Sequence, residues 1–286
     1  MTHRLPTYFL SHGGGPWPWL KDMRPGVYDG LEQSLHDVRQ ELGELPRAVL
    51  MISGHWEADC FLLSSSARPP MYYDYSGFPP HTYQIRYDAP GEPALAETVR
   101  SMLEQGGLPT GLDPRRGYDH GTFSLMHVLY PEAELPLVQL AMKADFDPAE
   151  HIRVGELLAP LRDQGVLIVG SGFSFHDTRS IINGAGKAAS ATFDSWLDET
   201  LRATPEDRTR RLINWESAPA ARAAHPREDH LIPLMVAAGA AGEDAAVRVY
   251  YESSFMGSIT ASSYRFGPVP AACPSNQPLM RSEGQA

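Results

Sequence analysis

Five histidines carry most of the chemical information in this chain. His12, His55 and His176 each follow a run of apolar residues that reads as a β-strand, and His120 and His230 stand where a loop turns into a helix. Glycines crowd two of them, in Ser11-His12-Gly13-Gly14-Gly15 and Ser53-Gly54-His55, and Gly170-Ser171-Gly172 precedes His176 by four residues. Glycine lets a backbone approach a ligand closely and take turns that other residues resist. In open α/β sheets the loops past the carboxyl ends of the strands converge on one crevice, where ligands bind. Neutral imidazoles gathered there suit Fe, Zn, Cu or Ni, and three protein ligands leave positions open to a substrate. A single histidine at a strand end is more often a hydrogen-bonded structural residue. Several sharing that context, beside glycines, reverse the balance and point to a metal enzyme.

The remaining six histidines do not share it. His3, His36, His127, His151 and His225 fall at the terminus, on helices or in polar loops and need no role, while His81 lies in a tyrosine-rich loop. Other catalytic signatures are absent: there is no HExxH, GxSxG, Walker loop or GxGxxG, and Gly13-Gly14-Gly15 lacks the Lys-Ser/Thr of a phosphate loop.

Strand-like runs alternate with helical periodicity, which predicts an α/β fold: one domain with a central mixed, mostly parallel sheet and helices on both faces. Strands are expected over 7–10, 48–53, 61–64, 137–141, 166–171, 247–251 and 262–266. Helices are expected over 27–42, 93–105, from about 121 to 130, and over 148–161, 187–203, 206–224 and 228–238. Residues 68–90, rich in Pro, Gly and Tyr, read as a long ordered loop. The catalytic domain is expected to span 1–267, followed by a Pro-rich, poorly ordered tail over 268–286.

Composition narrows the partners. The chain has 286 residues, is 42% hydrophobic and carries a formal net charge of −11. That charge argues against nucleic acid or an anionic membrane, which require clustered cations. The densest basic group, Arg208, Arg210 and Arg211, reads as the solvated face of a helix. Two distant cysteines, Cys60 and Cys273, exclude a cysteine-built zinc site and suggest a reducing compartment. With no apolar run of membrane-spanning length, a soluble cytoplasmic protein is expected, monomeric or a small homo-oligomer.

Longer motifs add specificity. These are Ser11-His12-Gly13-Gly14, Ser53-Gly54-His55-Trp56-Glu57, Tyr73-Asp74-Tyr75-Ser76-Gly77-Phe78-Pro79, Tyr87-Asp88-Ala89-Pro90-Gly91, Asp119-His120-Gly121-Thr122-Phe123, Gly170-Ser171-Gly172-Phe173-Ser174-Phe175-His176 and His225-Pro226-Arg227-Glu228-Asp229-His230-Leu231-Ile232-Pro233-Leu234. In this order, up to Phe266, the set resembles the DOPA dioxygenase-like branch of the class III extradiol ring-cleavage dioxygenases.

The resemblance implies a non-haem enzyme that inserts both atoms of dioxygen into a catechol and opens its ring to a semialdehyde acid. It implies His12, His55 and His230 as metal ligands, with Fe(II) the active ion and Zn(II) an alternative occupant. It also implies His176 as the acid/base residue, with His120 assisting deprotonation of the diol. Three histidines depart from the two-histidine, one-carboxylate triad common among non-haem Fe(II) oxygenases, and Glu228 or Asp229 stands close enough in sequence to supply a carboxylate. Glu57 is expected to orient His55 or another neighbour. Tyr72, Tyr73, Tyr75, Phe78, Phe173 and Phe175 are candidate walls for an aromatic ring. Two rival readings are a zinc-dependent hydrolase on the same three histidines and a non-catalytic metal- or small-molecule-binding protein.

Overall fold

Hydrogen-bonding capacity left unpaired in a core is costly, and here an eight-stranded sheet absorbs it. The computed structural model describes residues 4–269. Its strands are β1 (Thr7–Ser11), β2 (Ala48–Ala58), β3 (Phe61–Ser64), β4 (Thr110–Asp113), β5 (Leu137–Lys143), β6 (Val166–Gly172), β7 (Ala246–Phe255) and β8 (Ile259–Phe266). Its α-helices are α1 (Asp29–Leu42), α2 (Pro93–Gln105), α3 (His120–Leu129), α4 (Pro148–Leu158), α5 (Thr178–Asn183), α6 (Lys187–Leu201), α7 (Pro205–Ile213), α8 (Ala221–Ala224) and α9 (Ile232–Ala241).

The strand order is β4-β3-β5-β2-β6-β1-β8-β7. The pairs β1–β6, β2–β5, β2–β6 and β3–β4 are parallel. The pairs β1–β8, β3–β5 and β7–β8 are antiparallel, so the sheet is mixed with a parallel centre. Side chains alternate faces along a strand. Thr7 accordingly donates to Ala237 O in α9 (2.8 Å), while its neighbour Tyr8 donates to Glu41 in α1 (2.7 Å). Helices therefore cover both faces. The central strands β2 and β6 are apolar and buried on both sides over Ala48–Ile52 and Val166–Val169, as buried parallel strands must be. Among the described residues, no helix is long and apolar enough to cross a membrane.

Several elements differ from the sequence expectation. β2 runs on to Ala58, because Ile52 pairs with Leu140 but Glu57 with Met142, a bulge that keeps His55 inside the strand's span. β4 has no apolar run to reveal it; it is a short, half-exposed edge strand beside β3. The helix expected over 206–224 breaks into α7, a 3-10 turn at Trp215–Ser217 and α8. Ala218 takes the extended conformation that the following Pro219 favours, and Trp215 turns into the core. α9 starts at Ile232 rather than at Glu228, with Pro233 in its first turn, where a missing N–H costs nothing.

Arg208 is not solvated. It is 2% exposed and donates to Asp244 O (2.8 Å) and to Gly242 O. Arg162 likewise donates to Ala240 O (2.8 Å), so two buried guanidinium groups satisfy carbonyls at and just beyond the end of α9. The expected tail lies, from residue 270 onward, outside the described residues.

Candidate metal centre

Three adjacent strands bring the histidines together. β2, β6 and β1 are consecutive in the sheet and parallel, so their carboxyl ends share one edge, with neighbouring strands about 4.8 Å apart. His12 directly follows β1, His55 sits in the β2 bulge, and His176 lies four residues past β6. Between them β6 ends in Gly170-Ser171-Gly172, whose small side chains leave room for imidazoles above. His230 docks on this end: Phe173 N–H donates to His230 O (3.0 Å). A Cβ on Gly172 would lie 2.2 Å from that oxygen, so the approach requires glycine. From the other face α3 delivers His120. Gly121 next to it lies so close that a Cβ there would meet Ser53 Oγ at 2.6 Å and the His55 ring at 2.8 Å.

The hydrogen bonds fix where the ring protons are. Ser171 Oγ donates to Gly121 O (2.6 Å), so it accepts from His12 Nδ1–H (2.9 Å). That leaves a lone pair on His12 Nε2. His55 Nδ1 lies 3.1 Å from Asp74 Oδ2, an electrostatic contact without hydrogen-bond geometry. His55 Nε2 lies 3.2 Å from His12 Nε2 and 3.1 Å from His230 Nε2. His230 Nδ1 is 3.2 Å from Asp229 Oδ1 but makes no hydrogen bond, so that contact is off-axis and electrostatic.

Metal–imidazole bonds of about 2.0–2.1 Å at tetrahedral or octahedral angles place neighbouring nitrogens about 2.8–3.4 Å apart, and the two observed spacings fall in that interval. Burial, reinforced by neighbouring imidazoles, pushes the pKa values of His12 and His55 well below 6.5 and that of His230 to about 4. Such rings are neutral near pH 7, as a metal ligand must be. The donor set fits an ion.

Asp74 is the functional residue that sequence reasoning missed, although it lies inside a quoted motif. Its Oδ1 accepts the backbone N–H of His120 (2.9 Å), and both oxygens lie 2.9 Å from His120 Nδ1. One carboxylate thus orients His120 and places its negative charge against His55 Nδ1. Burial pushes the Asp74 pKa up, but its bonds to His120 outweigh this and hold it low. Beneath lies a second carboxylate, Asp119, fully buried, which caps α3 through Thr122 N–H (3.0 Å). It also accepts from Ser53 Oγ (2.8 Å), Gln139 Nε2 (2.7 Å) and Arg116 (2.7 Å). Arg116 in turn donates to His55 O (3.1 Å), so the strand segment carrying His55 is held from below.

Over residues 2–267 the sequence matches the family described as the catalytic LigB subunit of aromatic ring-opening dioxygenase. The chain belongs to the LigB family. It is 37% identical over 269 residues to the 4,5-DOPA dioxygenase extradiol of Portulaca grandiflora, covering 91% of this chain and 95% of that one. To the dioxygenase tasH of Hapsidospora irregularis it is 36% identical over 280 residues, covering 92% and 85%. A crystal structure of an uncharacterized protein from Escherichia coli K12 superimposes with a TM-score of 0.76 at 25% identity, covering 92% of this chain and all of the other.

This LigB chain therefore has a histidine-rich potential metal site, which forms a row rather than a single triad. Ligand atoms of His12, His55 and His120 lie within 4.8 Å of one another, as do those of His176, Asp229 and His230. His176 stacks on His230 with ring centroids 3.3 Å apart, and its Nδ1 is 3.7 Å from Asp229 Oδ1. Burial alone would push the Asp229 pKa up, but the imidazoles of His176 and His230 outweigh it and hold the carboxyl well below its usual range.

The other carboxylates stand apart from the row. Glu228 is held by Arg222 (2.6 Å), and Glu57 pairs with Arg227 (2.6 Å), not with His55. Arg227 also approaches Asp229 (3.6 Å), so Glu57 reaches the row only through that arginine.

A cavity of about 270 Å³ opens on His176, walled by Gly13–Gly15, Phe78 and Phe173. Of the other candidate walls, Tyr75 packs edge-on against His120 with centroids 5.8 Å apart, and Tyr72 is exposed. Phe175 is core, and Tyr73 faces a larger groove of about 670 Å³ that holds none of the histidines. Of the five histidines, the smaller cavity is lined by His176 alone.

Proposed function

We propose that the chain is an Fe(II)-dependent extradiol dioxygenase that cleaves a catechol-type ring to a semialdehyde acid. The observation that carries this reading is the approach of His55 Nε2 to Nε2 of His12 (3.2 Å) and to Nε2 of His230 (3.1 Å). Those three residues are the ligands. Bound Fe(II) supplies the electronic coupling between an ionised diol and dioxygen. The names of the relatives and the aromatic walls of the cavity support the substrate class.

The residues divide the remaining work. His120 donates its Nδ1 proton to Asp74, so its Nε2 accepts a proton from a diol hydroxyl, and the Asp74 carboxylate steadies the imidazolium formed. His176, at the cavity wall, holds a second proton-transfer position, with Asp229 at its Nδ1 side. Phe78 and Phe173 bracket the ring and keep water from it.

Reconstitution under argon with Fe(II) or Zn(II), followed by a catechol and then air, tests the proposal. Stoichiometric dioxygen uptake with a yellow product is expected for Fe(II) alone. Turnover that proceeds equally with Zn(II) and without dioxygen would instead establish the hydrolase.

A further inference from the structure

His55 lies in the gap of β2 where the ladder to β5 is interrupted, and pairing with β6 stops at Ser53. Its Nδ1 meets Asp74 only electrostatically, so the aim of the ring depends on what holds its backbone. Both polar groups of that backbone end on one buried carboxylate. Ser53 Oγ accepts the His55 N–H (3.2 Å) and donates to Asp119 Oδ1 (2.8 Å). Arg116 Nη2 donates to His55 O (3.1 Å) and to Asp119 Oδ2 (2.7 Å). Arg116 is itself placed: Asp113, the last residue of β4, accepts the N–H of Arg115 (2.8 Å) and of Arg116 (3.1 Å). The guanidinium lies over the rings of Trp56 and Tyr72, 4.8 and 4.5 Å from their centroids. Its Nε is buried without a partner, so both bonds run through a single nitrogen.

Resting on the reading of His55 as a metal ligand, we infer that Arg116 and Asp119 are positioning residues: they hold the His55 backbone in the bulge so that its Nε2 stays within reach of an ion shared with His12 and His230. A buried ion pair adds little stability over well-packed apolar side chains, so stability alone gives no reason for one here. Its bonds do give a direction. The same carboxylate caps α3 through Thr122 N–H (3.0 Å), which places His120, the first residue of that helix, against the same support. A ligand and its neighbouring proton acceptor are thereby fixed relative to each other.

Titration of the metal-free protein with Co(II), whose visible bands report ligand geometry, tests this without turnover. The double variant Arg116→Met, Asp119→Asn is neutral and keeps its polar groups paired. The Asn carbonyl accepts from Ser53 and Thr122, and Gln139 turns its unpartnered Oε1 to the Asn amide. Co(II) affinity is expected to fall about 10–100-fold with shifted bands, the range for residues that orient a ligand. Arg116→Lys should keep most of the affinity, because one ammonium serves both acceptors. His151→Leu, outside the row, should lose stability and keep Co(II) affinity and bands, which separates positioning from general weakening. Unmutated affinity and bands in the double variant overturn the inference. If that variant does not fold, Ser53→Ala decides: a loss of affinity with shifted bands upholds the inference, and no change overturns it. His55→Ala separates the two readings. Affinity that survives it removes His55 from the ligands and the inference with it, whereas affinity lost there but kept in the double variant refutes the positioning role alone.

Discussion

Two sets of buried histidines in this protein differ less in burial than in what their nitrogens face. His151 and His225 are fully buried, as deeply as His12 and His230. His151 spends both nitrogens on backbone: Nδ1 donates to Asp147 O (2.7 Å) and Nε2 accepts Lys143 N–H (3.2 Å). His225 turns Nε2 to Ser174 O (3.1 Å) and is enclosed by Phe193 and Trp215. In the row, by contrast, Nδ1 of His55 and of His120 rests on the Asp74 carboxylate, and that of His12 on a hydroxyl whose own proton is committed. Nε2 of His55 lies 3.2 Å from that of His12 and 3.1 Å from that of His230. His225 Nδ1 also has no hydrogen-bond partner, so what sets the row apart is the convergence of its nitrogens on one another rather than a spare lone pair alone.

That contrast can be broken in several ways. The largest effect is expected from His12→Ala and His230→Ala, which should abolish bound metal by elemental analysis and reduce dioxygen uptake to background. Metal content is also the arbiter between His230 and His120 as third ligand, since His120→Ala should retain the ion. His176→Ala is expected to keep the metal and lower kcat by roughly 10²–10⁴-fold, the span of general acid–base contributions; unchanged turnover removes it from the mechanism.

Asp74→Asn replaces a double acceptor with a group that has one acceptor oxygen. A loss of about 10–100-fold in metal affinity or turnover is expected, with the unfolding midpoint close to that of the unmutated protein. Stability rather than activity should fall in His151→Leu, by about 1–3 kcal/mol in urea titration, because Lys143 N–H is left without its acceptor.

A milder probe is pH. Burial depresses the His225 pKa to about 3, against about 6.5 unfolded, so the unfolded chain binds the proton more readily. Stability from this residue is therefore complete above about pH 6.5 and lost progressively as pH falls towards 3, at roughly 1 kcal/mol per unit. The difference in this profile between metal-free unmutated protein and His225→Leu at pH 7, 6 and 5 measures it, and identical profiles contradict the assignment.

Much of this was legible in the chain. Apolar runs and glycines marked β1, β2, β6 and the helices from α1 to α4, since local hydrophobic periodicity reports which faces are buried. Where an element is defined by its partner, the signal vanished. β4 exists because β3 offers it an edge, and the bulge that places His55 exists because β5 resumes pairing at Met142. Arg208 reads as surface until its carbonyl partners past α9 are known.

The site divides along the same line. The amino-acid sequence alone determined which imidazoles could act, because histidine type, strand context and neighbouring glycines are local properties. Only the tertiary structure decided what holds them. Asp74 is 46 residues from His120 and sits in a loop, and Glu57 lies two residues from His55 yet turns to Arg227. Hydrogen bonds are formed between groups close in space and correctly directed, and neither condition can be read from separation along the chain.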